Sequence, residues 1–215
     1  MNRFNGARCA LPLITLGLTA CGGPVVHNLV PLPGMEDEAP EITEVSTVVF
    51  ETTAGDVTIA VYPEAAPNAA ARFIELVESG YYDNTPVSRV VDGFVAQFGV
   101  NWRAPHSSWR QRMFRDDPPL FMLGRGTLAF AKSQAPNSAS TQVFINFGDN
   151  SWLADPPNNF TTFGEVLSGM EVVDSFVRVG DPSGGLDQNR LWTNGDAFLA
   201  SLPVQPTMIV SARLR

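Results

Sequence analysis

The sequence predicts a mainly β domain, a closed antiparallel barrel carrying two helices. Three observations support this. Short stretches of alternating apolar and polar residues recur from residue 47 to the end, at the period of a half-buried strand. Seventeen prolines and eighteen glycines in 215 residues supply many turns. Helical spacing occurs at two places, far apart, which suits a closed barrel better than a parallel sheet of strand–helix–strand units.

The regular elements start after a leader and a linker. Residues 1–8 carry Arg3 and Arg8 and no acid, and residues 9–20 (CALPLITLGLTA) are apolar. That run is too short to span a bilayer stably but has the length of a signal-peptide core. It ends in Leu18-Thr19-Ala20-Cys21-Gly22, which resembles the bacterial lipobox. The resemblance implies that residues 1–20 are a lipoprotein signal peptide, cleaved before Cys21, whose sulfur and new amino terminus receive lipid. The alternative is an ordinary secretory signal, with Cys21 an incidental thiol. Cysteine usage agrees with lipidation: the two cysteines are Cys9 and Cys21, so cleavage and acylation leave no free thiol in an oxidising compartment. Two or more acyl chains anchor stably where one does not. The expected location is the bacterial cell envelope, and Gly22, standing where an aspartate would argue otherwise, points to the periplasmic face of the outer membrane. Residues 21–46 hold Pro24, Pro31, Pro33 and Pro40 among Glu36, Asp37, Glu38, Glu41 and Glu44, and read as a flexible tether.

In residues 47–215, Thr47–Glu51 reads as a strand, followed by the turn Ala54-Gly55-Asp56. Val57, Ile59 and Val61 then alternate with Thr58, Ala60 and Tyr62 in a second strand. The spacing predicts a helix over Pro67–Ser79, with Pro67 in its first turn, Phe73, Leu76 and Val77 on one face, and Gly80 at its end. Short strands follow at Val87–Val91, Phe94–Gln97, Leu128–Lys132, Val143–Asn146 and Thr162–Val166. A second helix is predicted at Met170–Val177, before Gly180, and a last strand at Met208–Leu214.

The charge narrows the partners. A net charge of -8 and a pI near 4.7 set the chain against phosphate backbones, so no nucleic acid is expected, and against anionic lipid, so a membrane would need a covalent anchor. His27 and His106 lie far apart and far from any cysteine pair, so no metal-ligand spacing is present. No glycine-rich phosphate loop and no internal repeat occur, and a monomer without cofactor is expected.

Three segments carry a family resemblance. GYYDNTPVSRVVDGFVAQFG (residues 80–99) is similar to the cyclophilin segment built on F-H-R-V-I-x-G-F-M-x-Q-G-G. RGTLAFAKSQAPNSASTQVFIN (residues 125–146) resembles the bacterial cyclophilin stretch R-G-T-x-x-M-A-R-x-x-x-P-N-S-A-x-S-Q-F-F-I-N. NSWLAD and FTTFGEVLSGMEVVD (residues 150–155 and 160–174) resemble W-L-D…F-G-x-V-x-x-G-M-x-V-V-D. On these motifs residues 47–215 are identified as a cyclophilin-type peptidyl-prolyl cis-trans isomerase domain. The resemblance implies an eight-stranded antiparallel barrel capped by two helices, acting on proline-containing polypeptides without metal or cofactor.

The resemblance also assigns roles. Arg89 matches the family's catalytic arginine, and Gln97 and Gln142 match the glutamines that hold it and meet the substrate. Phe94, Val95, Ala131, Phe144, Leu153 and Phe160 match the pocket that receives the proline ring. Trp152 matches the tryptophan at the rim, which implies some cyclosporin binding. Several positions depart from the pattern. Ser88 stands in place of histidine, Val95 in place of methionine on the pocket floor, and Phe98 in place of a glycine, which should narrow the space nearby. Lys132 stands where relatives have asparagine or arginine, and Phe160 where many have histidine. Ser88 and Phe98 keep open a second function: a binding module for proline segments, without turnover.

Two regions read as additions. Residues 100–120 hold Trp102, Trp109 and four arginines, and are taken as a stabilised surface excursion, with a peptide-contacting loop as the alternative. Residues 181–202 are expected to cover one end of the barrel.

Overall fold

The computed structural model describes residues 27–215. Residues 1–20, Cys21 and the lipobox therefore lie outside the described residues. Eight strands are present among them: β1 (Ser46–Thr52), β2 (Gly55–Val61), β3 (Thr85–Val91), β4 (Val95–Phe98), β5 (Thr127–Phe130), β6 (Val143–Asn146), β7 (Thr162–Ser168) and β8 (Met208–Leu214). They close into a barrel in the order β1-β2-β7-β5-β6-β4-β3-β8, with every pairing antiparallel. Closure leaves no free sheet edge, and alternation along each strand fills the interior from one face of every strand.

The interior is aromatic. Phe50, Tyr82 and Phe163 meet Phe73 of helix α1 (Pro67–Glu78), Phe98 packs on Phe50 and Tyr82, and Phe130 on Phe163, with neighbouring ring centres 5.1–6.1 Å apart. Helix α1 starts at Pro67, as the sequence predicts, and ends in a Schellman turn at Gly80 (φ 67°): Gly80 N donates to Val77 O and Tyr81 N to Leu76 O. Helix α2 is Met170–Asp174, shorter than the predicted 170–177. Its end tightens, with Ser175 N and Phe176 N bonding three residues back to Val172 and Val173, and this drives Phe176 into the core.

Three findings correct the sequence reading, and a fourth locates Ser88. From His27 onward the proposed tether is not free. Leu29 and Ile42 are buried against Ala60, Tyr62, Ala65 and Phe121, and residues 30–32 pair with residues 120–122. Glu64 pins the far end by accepting from Thr43 N, Thr43 Oγ1 and Glu44 N. Two buried aliphatic anchors outweigh the acids because the acids stay in solvent. Residues 181–202 contain an unpredicted third helix, α3 (Gln188–Ala200), capped by Asp187 and kinked at Asn194. It packs Leu191, Phe198 and Leu199 against Val100, Leu186 and Trp102. Phe98 narrows no pocket: alternation along β4 turns Ala96 and Phe98 into the barrel and leaves Val95 and Gln97 on the groove side.

The last finding is Ser88, the extra residue of a bulge. Val87 pairs with Phe98 and Arg89 with Gln97, so Ser88 has no register partner. Bulges occur where a strand must re-aim a side chain. Its Oγ donates to Gln97 O at 3.3 Å, in a position only 1% exposed.

Residues 100–120 are bound tightly to the barrel. They contain a 3-10 turn at His106–Gln111 and end on Asp117, which is buried and caps α1. Ala66 offers the helix no side-chain cap, so the Asp117 carboxylate accepts from Asn68 N (3.2 Å), Asn68 Nδ2 (2.7 Å) and Ala69 N (2.9 Å). Arg72 on α1 donates to the carbonyls of Arg112 and Ser140, and its guanidinium lies 5.1 Å from the Phe114 ring centre. The stabilised-excursion reading fits these contacts.

Candidate active site

One row of residues runs across four strands on the outer face of the barrel. Arg89 on β3 pairs with Gln97 on β4, Gln97 with Phe144 on β6, and Phe144 with Ala129 on β5. Register thus brings the candidate cation, its candidate holder and the pocket wall side by side.

Beside this row lies a pocket of about 180 Å³, lined by Arg89, Phe94, Val95, Gln97, Ala131, Lys132, Phe144, Leu153 and Phe160. Its apolar part is built from separate elements. Val95 comes from β4 and Phe144 from β6. Leu153 comes from the 3-10 turn Ser151–Leu153 and Phe160 from the loop after it. Phe160 meets Phe144 edge-on at 5.6 Å. Asn150 holds the turn in place, with Nδ2 donating to Phe94 O (2.9 Å) and to Asn146 Oδ1 (2.8 Å).

The polar side has a definite orientation. Arg89 Nε donates to Ser183 O at 2.6 Å and Nη1 to Gln97 Oε1 at 3.3 Å. Gln97 Nε2 donates to Gln142 Oε1 at 2.9 Å. The guanidinium also lies 5.4 Å from the Phe94 ring centre. Burial draws its pKa below the ordinary value, yet arginine stays charged at physiological pH.

Most of the predicted residues meet here, in three settings. Nine of the predicted or noted positions form the wall itself, and Lys132, noted only as a departure, is among them. Gln142 stands behind Gln97, outside the wall. Trp152 lies at the rim, 55% exposed, stacked on Phe94 at 6.2 Å. Lys132 is not a loose surface cation: Nζ sits 2.8 Å from Asp116 Oδ2, donates to Asn159 O at 2.9 Å, and faces the Phe160 ring. The sequence reading missed Asp116, Ser183 and Gln188 as neighbours of the site. Asp187 before Gln188 and the apolar positions Leu191 and Phe198 would have signalled the helix, but no pattern signals the contact. Among the described residues no cluster of three or more metal-binding side chains occurs.

The family model described as "Cyclophilin type peptidyl-prolyl cis-trans isomerase/CLD" matches residues 47–192, which include every wall residue. The chain belongs to the cyclophilin-type peptidyl-prolyl cis-trans isomerases. It is 32% identical to peptidyl-prolyl cis-trans isomerase B of Escherichia coli over 148 residues, 66% of this chain and 90% of that protein. It is 40% identical to peptidyl-prolyl cis-trans isomerase cypE of Dictyostelium discoideum over 132 residues, 59% of this chain and 81% of that one. Its fold is similar to that of a cyclophilin-type isomerase from Cryptosporidium parvum, with a TM-score of 0.59 over 80% of this chain and 98% of the other, at 22% identity. Another structure of that protein, in the presence of the dipeptide Ala-Pro, aligns with a TM-score of 0.57 at 23% identity, covering 79% of this chain and 98% of the other. Among the described residues of this cyclophilin, the matched region leaves out residues 27–46 and residues 193–215, which hold most of α3 and the barrel strand β8.

Proposed function

We propose that this cyclophilin isomerises X–Pro bonds in exported polypeptides at the Arg89 pocket, with Arg89 as the catalytic donor. The observation that carries the reading is a guanidinium braced on Nε and Nη1 at the mouth of an apolar pocket large enough to take a proline ring.

The chemistry follows from the bond. A prolyl amide resists rotation because its nitrogen shares a lone pair with the carbonyl, and the uncatalysed flip takes tens to hundreds of seconds. In the twisted state that lone pair returns to nitrogen and can accept a hydrogen bond. A donor fixed in advance toward it favours the twisted state over either planar one. Phe94, Val95, Phe144 and Leu153 would hold the ring, and Arg89 would supply the donor from the edge not engaged by Ser183 and Gln97. No bond is made or broken. Ala-Pro in the Cryptosporidium structure supports a proline-containing ligand here.

The lipobox-like Leu18–Cys21 supports a lipid-anchored envelope protein on the periplasmic face of the outer membrane. Asn28 N donates to Glu165 Oε1 on the barrel, so the chain between Cys21 and that docked point could reach at most about 25 Å. An anchored domain would therefore stay close to the bilayer. No helix among the described residues is long and apolar enough to cross a membrane.

A protease-coupled isomerisation assay with an X–Pro peptide, run beside a binding titration, tests the activity. Turnover well above the uncatalysed rate supports it. Binding without turnover would replace it with the binding-module reading. Cys21→Ser tests the anchor: the variant should leave the membrane fraction or remain unprocessed, and a mature, membrane-bound variant would refute lipidation.

A further inference from the structure

We infer that Gln188 and the Ser183 carbonyl, both in the segment after the barrel's second cap, are positioning groups for Arg89; this rests on Arg89 being the donor proposed above.

Arginine only donates. Gln97 must therefore turn Oε1 to Arg89 Nη1, which leaves its Nε2 in need of an acceptor. Gln142 Oε1 supplies one at 2.9 Å. Gln142 Nε2 then needs an acceptor in turn, and Gln188 Oε1 on α3 supplies it at 3.1 Å. Each amide is oriented by the one before it, and the row is satisfied only if its last member accepts. Gln188 is that last member. Without it Gln142 can turn its amide over and present Nε2 to Gln97, and Gln97 is then pressed to turn a donor toward the arginine.

The Nε brace comes from the same segment. Asp181 Oδ1 accepts from Ser183 N (2.9 Å), Ser183 Oγ (2.7 Å) and Gly184 N (2.7 Å), which fixes the turn that aims Ser183 O at Arg89. Gly185, at φ 73°, lets the turn lie on β3: a Cβ there would fall 2.4 Å from Ser88 O and 2.7 Å from Arg89 Cβ. Leu186 N donates to Ser88 O at 2.8 Å and clips the turn to the bulge. Neither Gln188 nor Ser183 lines the pocket, so neither is placed to touch the proline ring.

The test compares Gln188→Leu, Gln188→Glu and Asp181→Ala with wild type and Arg89→Ala in the full chain, reading turnover, peptide affinity and thermal midpoint. Gln188→Leu should lose about five- to tenfold in turnover, with affinity and midpoint unmoved. Gln188→Glu should restore turnover, because a carboxylate still accepts from Gln142 Nε2. Asp181→Ala should lower turnover in the same selective way. Wild-type turnover in Gln188→Leu, or a Gln188→Glu variant as impaired as the leucine, overturns the positioning role. So does a parallel loss of affinity and midpoint. If Arg89→Ala itself keeps wild-type turnover, the proposed donor falls instead.

Discussion

Residues 100–120 and residues 181–202 are both additions outside the barrel strands, and each reaches the pocket with polar groups. The first ends on Asp116 and Asp117, which neutralise Lys132 and cap α1. The second opens with Ser183 and Gln188, which brace Arg89 directly and through two glutamines. One segment holds the pocket's frame; the other holds the group proposed to act. Removing contacts from the first should therefore cost stability, and removing contacts from the second should cost turnover.

The largest stability effect is expected at Asp117→Ala. The buried carboxylate accepts three hydrogen bonds at the start of α1, and its loss should destabilise by about 2 kcal/mol, measured by denaturant midpoint. Turnover per folded molecule should not change. A selective loss of turnover instead would erase the distinction between the two segments.

A smaller effect is expected at Asp116→Ala. The pair with Lys132 is largely shielded, with side chains 22% and 7% exposed, so about 1 kcal/mol of stability should go. The freed ammonium on the pocket wall should favour peptides with an acidic residue beside the proline. Titration with acidic and neutral peptides checks this, and equal affinities would show that Lys132 does not face the ligand.

The smallest effect concerns acid. The Ser183 hydroxyl and the Ser183 and Gly184 amides hold the Asp181 carboxyl below its ordinary value. A depressed folded value means that the turn's contribution is complete above the unfolded value, near 3.9, and is lost as pH falls through the lower folded one. Turnover of the folded enzyme should therefore keep its Asp181-dependent part past the unfolded value and lose it only as pH falls through the lower folded one. In Asp181→Asn that acid limb should be absent. An unchanged limb would detach Asp181 from the site.

The barrel was legible because alternation and turn residues are local. Val57, Ile59 and Val61 mark β2 without any knowledge of their partners, and Pro67 and Gly80 mark both ends of α1. The wall of the site was legible through motif resemblance alone, since Phe94 and Phe144 look like any core phenylalanine. What escaped was non-local. Leu29 and Ile42 bury only against a surface that exists once Ala60, Tyr62 and Phe121 are assembled. Helix α3 is interrupted in pattern by Asn194 and Gly195, and Gly195 is small because the Trp102 ring lies against it. Phe98 was misread for the opposite reason: resemblance put it by the pocket, while alternation turns it into the core.

Arg89 carries the account, and replacing it is the most direct test. Arg89→Ala should lose about a hundredfold in turnover, the scale for one preorganised donor, and Arg89→Lys should not recover it, because a flexible ammonium does not reproduce the braced fork. Peptide affinity should fall much less, since Phe94, Phe144 and Leu153 still hold the ring, and the thermal midpoint should hardly move. Near-wild-type turnover in Arg89→Ala would contradict the account.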